Sequence, residues 1–434
     1  MTLKEPAPVA PGTTAGAKAE PPHRATAWPE ARAAAARAGT AARAGREPGR
    51  LPLGQALGRV LAEPLPALTD LPSFDTSAMD GWAVAGPGPW TVRAETSVLA
   101  GHAPAAALAD GEAVRIATGA PVPPRTTAVI RSEHSRTERT GSGGLVLHAL
   151  RDVATRQDIR PRGQECRSGD ELLPAGTAVT PVVLGLAAAA GYDELPVPSR
   201  PRAEILVLGD ELLSTGLPHE GLIRDALGPM LGPWLEALGA EVLATRRIGD
   251  DAEELYAAVT GSAADLIVTT GGTAAGPVDH LHRVLDKAGA TLLVDGVKVR
   301  PGHPMLLAAL GGHRHLVGLP GNPLAAVSGL LTLAEPLLAA LGGTSTPRSR
   351  GRAPVVEEVH GHPHDTRLVP VVRRGGQLVP LRYNGPAMLR GIAVADGMAV
   401  VPPGGARSGQ ELDVLGLPWP PTSGAVPEQG ACFT

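Results

Sequence analysis

Leu266-Ile267-Val268-Thr269-Thr270-Gly271-Gly272-Thr273-Ala274-Ala275-Gly276-Pro277-Val278-Asp279-His280 runs an apolar, strand-length segment (266–269) into a loop of small residues and then towards a helix. Comparable apolar runs occur at 205–208, 242–244, 292–294 and 316–318, with amphipathic stretches of helix length, such as 226–238 and 252–259, between several of them. Strand alternating with helix predicts a doubly wound α/β domain over 201–345.

Two Pro/Gly-rich segments bound that region, Pro196-Val197-Pro198-Ser199-Arg200-Pro201 and Gly342-Gly343-Thr344-Ser345-Thr346-Pro347. Upstream, residues 1–27 carry almost no bulky apolar groups and are expected to be a disordered tail. The Ala/Arg alternation of 28–46 predicts a helix, and apolar spacing continues helically through 51–61. Residues 74–160 read as an inserted β-rich domain, with short strands near 113–117, 127–130 and 145–150. It interrupts a discontinuous linking domain made of 28–73 and 161–200. Beyond the α/β domain, 346–420 reads as a barrel-like β domain and 421–434 as a loose tail. The fold class expected is therefore α/β plus β, multidomain, with β-rich domains flanking the doubly wound one. A chain of 434 residues exceeds what one core supports, which agrees.

Composition narrows the function. Aromatic residues are only 2% against 43% hydrophobic, so the cores must be Leu, Val, Ile and Ala. Basic residues (39) nearly balance acidic ones (43), which argues against bulk binding to nucleic acid or anionic membranes. Cys166 and Cys432 cannot make a disulfide framework. The most apolar stretch, 316–341, is broken by Pro320, Asn322, Pro323, Glu335 and Pro336, and no basic-then-apolar leader pattern opens the chain, so a cytoplasmic protein is expected.

Open parallel sheets bind ligands at the carboxyl ends of their strands. Three loops qualify. The Gly271-Gly272-Thr273 loop lets a ligand approach the backbone, and amides at the following helix can hold an anion. Pro320-Gly321-Asn322-Pro323 places Asn322 as an N-cap and Pro323 as the first helical residue, which suits either an ordinary capped turn or a phosphate site. Gly209-Asp210-Glu211-Leu212 puts two acids at a strand end, suited to Mg²⁺, a ligand hydroxyl or helix capping.

Together and in this order, these loops resemble the molybdopterin-binding domain shared by the MoeA and MogA families, with signatures G-D-E-L, G-G-x-S-x-G-x-x-D and L-P-G-N-P. Phe74-Asp75-Thr76-Ser77-Ala78-Met79-Asp80-Gly81-Trp82-Ala83-Val84 is similar to the MoeA-specific D-N-S-A-M-D-G-Y-A-V. The segments 111–123 and Asp158-Ile159-Arg160-Pro161-Arg162-Gly163-Gln164-Glu165 resemble two further MoeA signatures, the second with Glu165 where Asp is usual. The resemblance spans about 28 to 417.

It implies a Mg²⁺-dependent transferase of molybdenum cofactor biosynthesis. Such an enzyme inserts molybdate into adenylylated molybdopterin and releases AMP, working as a homodimer whose cleft lies between the α/β domain of one subunit and the β-rich domain of the other. A MogA-type adenylyltransferase and apo-molybdoenzymes are the implied partners. By matching positions, Asp279 is the essential carboxylate, with Asp80 and Glu165 as further catalytic candidates. Asp210, Glu211 and Asp225 would contact metal or ligand. Gly271, Gly272, Thr273, Pro320, Gly321 and Asn322 would cradle the cofactor precursor, with Asp75, Ser77 and Thr118 approaching from the partner subunit.

Departures cluster at the oxyanion site. The family's two lysines are Arg300 and His303 here. Arg300 keeps a charge and can grip an oxyanion with two donors, whereas the charge on His303 is conditional. Ala274 replaces a Ser, the acid near Pro277 is gone, and Leu227 stands for an Asn. Two outcomes stay open: an enzyme in which Arg300 and His303 do the lysines' work, or a non-catalytic carrier or regulatory binder of the cofactor. His360, His362 and His364 alternate as zinc ligands might, though a solvated turn suits Gly361 and Pro363 better. His280 and His282 follow Asp279 closely enough to assist it, although histidines on a helix surface are commonplace.

Overall fold

The computed structural model describes residues 25–93, 97–102, 106–141, 143–273, 280–344 and 349–419. Residues 1–24 of the expected N-terminal tail, the expected tail 421–434, and Ala274, Pro277 and Asp279 lie outside the described residues. The end of the first tail, expected to be disordered through 27, is corrected: Thr26–Ala27 is a strand, held by pairing with Val297 and Lys298. The chain forms two compact units: the described residues up to Ala42 with Pro201–Ala340 and those after Thr346 make one, and Arg43–Arg200 with the residues at 341–344 make the other.

In the first unit a six-stranded sheet runs in the order Glu241–Ile248, Arg202–Leu208, Leu266–Thr270, Arg314–Leu319, Leu306–Leu310, Thr291–Asp295. The first four strands are parallel. Leu266–Thr270, buried at every position, is central because an apolar run with no polar face must be covered on both sides. Leu206, Ile248, Leu255, Val259, Leu281, Val284 and Leu316 form the core between the sheet and the helices Ala252–Gly261 and Leu281–Lys287. Each such side chain contributes about 1.5–3 kcal/mol on burial. Asp251 starts the first of these helices by accepting from the amides of Glu253 and Glu254.

The doubly wound sheet is mixed towards one edge. Leu306–Leu310 is antiparallel to both of its neighbours. Only Gly311, Gly312 and His313, the last at φ 63°, separate it from Arg314–Leu319, and three residues permit a hairpin but no crossover helix.

The segment between Thr291–Asp295 and Leu306–Leu310 leaves this sheet. Val297–Arg300 joins a seven-stranded sheet between Thr26–Ala27 and Thr366–Arg374, which continues through Gly397–Val401, Glu411–Gly416 and Ser349–Pro354, with Gln377–Pro380 also pairing Thr366–Arg374. That second sheet therefore draws on residues well before 346, and the loop after Arg300 sits where the two sheets of this unit meet.

The helix Trp28–Ala44 buries Ala31, Ala35, Gly39 and Ala42, a helical stripe of small side chains. A Cβ on Gly39 would lie 2.3 Å from the Leu337 carbonyl oxygen, so that close crossing requires glycine. Trp28 Nε1 donates to Thr332 Oγ1 at 3.0 Å, and Arg32 reaches the Leu331 carbonyl and Glu335. The apolar helical run Pro323–Leu341 is 89% buried within the protein, so its hydropathy serves a core.

In the second unit, a six-stranded sheet has the order Ala128–Arg131, Gly81–Val84, Glu112–Ile116, Trp90–Val92, Leu145–Ala149, Ser135–Arg139. Its two faces carry separate apolar clusters, one around Ala83, Val114, Ile116 and Val129, the other around Val84, Trp90, Ile130 and Leu147. The helical spacing expected over 51–61 is not realised. Gly49–Pro52 is a strand paired with Glu194–Val197, and only Leu53–Ala56 is helical. Pro52, Gly54 and Gly58, the last at φ 75°, oppose a continuous helix there.

Candidate functional site

The three loops of the α/β sheet converge. Gly271 N donates to the Leu319 carbonyl at 2.8 Å, tying the glycine loop to the start of Pro320-Gly321-Asn322. A Cβ on Gly321 would lie 3.7 Å from Gly271 Cα, and one on Gly271 would lie 3.8 Å from the Leu208 carbonyl that leads into Gly209-Asp210-Glu211. Gly271 and Gly272 adopt φ 79° and 65°, which explains two successive glycines. Thr273 behind them is buried.

The acids of this edge differ in their commitments. Asp225 Oδ1 accepts from the amides of Leu227 and Gly228, both at 2.9 Å, and so caps the helix Gly228–Ala237. Asp210 and Glu211 are exposed; the Asp210 carboxylate lies beside Gly249, and that of Glu211 folds over Gly209. Among the described residues no three His, Cys, Asp or Glu side chains form a group able to hold a metal. Asp210 and Glu211 still supply hard oxygens, and Mg²⁺ commonly takes one or two carboxylates with waters and substrate phosphate completing its shell.

Asn322 occupies the N-cap position, but its side chain makes no capping bond. The amides of Leu324 and Ala325 instead donate to the Pro386 carbonyl, at 2.8 and 3.2 Å. The sequence assigned that task to Asn322; a backbone carbonyl from the second sheet's loops has taken it. Those two amides are therefore spent, and a ligand here meets Gly321 and the Asn322 amide group, which makes no capping bond.

The oxyanion residues stand alongside. A Cβ on Gly302 would lie 3.0 Å from the Ala325 carbonyl, so the Arg300-Pro301-Gly302-His303 loop packs on the same helix start. Arg300 Nε donates to Asp365 Oδ2 at 2.9 Å. His303 Nδ1 lies 2.8 Å from the Val297 carbonyl. A carbonyl only accepts, so Nδ1 carries a proton, and Nε2 donates to an anion only in the imidazolium form.

In the second unit the motif residues knit one another together. Asp80 Oδ1 accepts from Thr118 N at 2.8 Å, which joins two of the signatures, and both residues are exposed. Ser77 is fully buried with its hydroxyl on the Met79 carbonyl. Asp75 accepts from Arg156 Nη2 at 3.0 Å and Arg162 N at 2.7 Å, a tie between the first and third signatures. A Cβ on Gly81 would lie 1.9 Å from the Ile130 carbonyl oxygen, which is why glycine follows Asp80. Glu165 is exposed, with its amide on the Leu71 carbonyl.

Sequence reasoning passed over Asp158 and Arg131, which pair through two 3.0 Å bonds. The Arg131 guanidinium holds the Asp158 carboxyl below the usual carboxylate range. Asp158 opened the third motif, which was the available signal. Asp365 had none. Of the histidines, His282 faces Asp295 at 3.0 Å and His280 accepts from Arg283. His360 is 89% exposed, while His362 lies against Asp365. A cavity of about 600 Å³ in the second unit, lined by Trp90, His148 and Arg151 among others, holds none of the motif residues.

Comparison with known proteins gives a consistent result. The MoeA N-terminal region (domains I and II) matches residues 27–191, a probable molybdopterin binding domain matches 204–340, and the MoeA C-terminal region (domain IV) matches 352–417. Molybdopterin molybdenumtransferase 2 of Mycobacterium tuberculosis is 35% identical over 374 residues, 81% of this chain and 90% of that protein. The molybdopterin molybdenumtransferase of Bacillus subtilis is 31% identical over 393 residues, 85% and 91% of the two chains. A solved molybdopterin biosynthesis MoeA protein from Pyrococcus horikoshii superimposes with a TM-score of 0.74 at 25% identity, covering 91% of this chain and 99% of its own.

Proposed function

The chain belongs to the MoeA family, and from that premise we propose that it is a molybdopterin molybdenumtransferase that inserts molybdate into adenylylated molybdopterin with release of AMP. The observation carrying this is the convergence of the Gly271-Gly272 loop, the Gly321-Asn322 turn and the Arg300/His303 loop at one end of the α/β sheet.

The glycines admit the pterin phosphate to the backbone, and Gly321 and Asn322 offer the remaining donors. Arg300 and His303 supply positive charge for the oxyanions. Asp210 and Glu211 are the residues that would hold Mg²⁺, which when bound neutralises phosphate charge. Asp225 commits Oδ1 to its helix cap, so a contact with metal or ligand falls to Oδ2. Asp279 is assigned the essential carboxylate from the motif alone, and Asp80, with Thr118 fixed against it, is the candidate from the second unit. Glu165, Asp75 and Ser77 support that edge. Completion of the cleft by a second copy belongs to the same proposal, as do supply of substrate by a MogA-type adenylyltransferase, transfer to apo-molybdoenzymes and cytoplasmic residence.

The competing reading, a non-catalytic binder, draws on His303, because its Nε2 donates only when charged. Purified chain given adenylylated molybdopterin, molybdate and Mg²⁺ separates the two. Molybdate-dependent AMP release supports the transferase, and tight binding without AMP release supports the binder.

A further inference from the structure

Building on that site, we propose that Asp365 is a positioning residue for Arg300, turning its guanidinium so that the two terminal nitrogens present a fork to a tetrahedral dianion such as molybdate. Asp365 immediately precedes the strand Thr366–Arg374, whose Arg367 sits opposite Arg300 in the sheet register. Its side chain is only 9% exposed, whereas that of Arg300 is 47% exposed. The contact is through Nε, at 2.9 Å. Among the described residues neither terminal nitrogen of Arg300 has a hydrogen-bond partner.

The turn carrying Asp365 is itself tied down. His362 Nδ1 accepts from the amides of His364 and Asp365, at 3.3 and 3.0 Å, which fixes the backbone of that turn. The carboxylate therefore approaches Arg300 from a fixed point rather than from a mobile loop.

This arrangement answers a need specific to arginine. An ammonium is a compact charge that donates in any direction, but a guanidinium recognises a tetrahedral oxyanion through a planar fork that must be aimed. A half-exposed arginine with no anchor loses rotamer freedom on binding, and an anchor at Nε removes part of that loss beforehand. The Asp365 charge opposes the dianion, but the fork lies on the far side of the guanidinium from it, and at an exposed group that repulsion is screened by salt. Orientation outweighs repulsion, so removing Asp365 weakens oxyanion binding even though it raises the local positive charge.

The test is equilibrium dialysis of molybdate against the full chain and its Arg300→Ala, Asp365→Asn and doubly substituted forms, with thermal melts confirming folding. Arg300→Ala is expected to raise the molybdate Kd at least tenfold, and Asp365→Asn about fivefold. The double variant should match Arg300→Ala, because Asp365 acts only through that side chain, and Asp365→Glu should return Kd to within twofold of the unaltered protein. An unchanged Kd in Arg300→Ala would remove the site reading itself. A raised Kd there, combined with an unchanged or lower Kd in Asp365→Asn, or with multiplicative effects in the double variant, would overturn the role of Asp365 alone. If Asp365→Asn does not fold, His362→Ala loosens the same turn. It should raise Kd about twofold when Arg300 is present and not at all in Arg300→Ala; no change with Arg300 present would count against the proposal.

Discussion

Replacing Asp225 by Ala deletes both acceptor contacts at the start of the helix Gly228–Ala237, to Leu227 N and Gly228 N at 2.9 Å each. The two bonds share one oxygen, so they count as one cap, worth about 1–1.5 kcal/mol. The loss reaches the core because Leu231, Trp234 and Leu235 on that helix are at most 3% exposed. For a unit of this size the melting temperature should fall by roughly 3–5 °C. Asp225→Asn keeps the side-chain oxygen and should melt within about 1–2 °C of the unaltered chain, since Asn caps nearly as well as Asp. The assay pairs thermal unfolding followed by circular dichroism with turnover in Mg²⁺. Turnover of Asp225→Asn should stay within about twofold if the carboxylate is structural, a factor worth well under 1 kcal/mol. A normal melt with a tenfold or larger loss of turnover in Asp225→Asn would refute the cap assignment and make Asp225 a ligand.

Three further outcomes follow from the packing. Gly81→Ala forces a methyl against the Ile130 carbonyl, so the second unit should lose roughly 2–4 kcal/mol, read as a lower denaturation midpoint. His315 is buried, its Nδ1 without a hydrogen-bond partner among the described residues, and burial, with His313 nearby, lowers its pKa below the ordinary value. The unfolded imidazole takes up a proton that the buried one refuses, so this stability is complete above about pH 6.5 and drains as the pH falls towards the lowered value. His315→Phe should remove that loss from melts recorded between about pH 7 and 5, and an unchanged acid slope would contradict it. Asp158→Asn breaks the paired contact with Arg131 and should cost about 1 kcal/mol at neutral pH, a modest figure because Arg131 is 37% exposed. The Asp158 carboxyl is held low by Arg131, so its contribution is present above about pH 4 and is lost only as the pH falls below that. Equal melts of the two proteins at pH 7 would show the pair to be neutral.

Local patterns carried most of the fold. Leu266–Thr270 was legible because five consecutive buried positions need five consecutive apolar or small residues, and the glycines after it announce a backbone that side chains would obstruct. Leu306–Leu310 was not, because a short apolar run after two prolines has no periodicity of its own and becomes a strand only by pairing with Arg314–Leu319. The same limit applies to 51–61, where the partner Glu194–Val197 draws Gly49–Pro52 into a strand and leaves only Leu53–Ala56 helical. In the site, the loops were legible because each is continuous in sequence. Their commitments were not. Asp365 meets Arg300 across 65 positions, and Pro386 supplies the cap that Asn322 appeared suited to provide. Long-range partners of this kind leave no mark in either local segment.

The central claim is tested most directly by AMP release from adenylylated molybdopterin, with and without molybdate, by the purified chain and by Asp279→Asn. The account predicts release that requires molybdate and Mg²⁺, falling at least about 100-fold in the variant, as befits a carboxylate engaged in proton transfer. Tight binding of the adenylylated compound with no molybdate-dependent AMP, or release unaffected by Asp279→Asn, would contradict it.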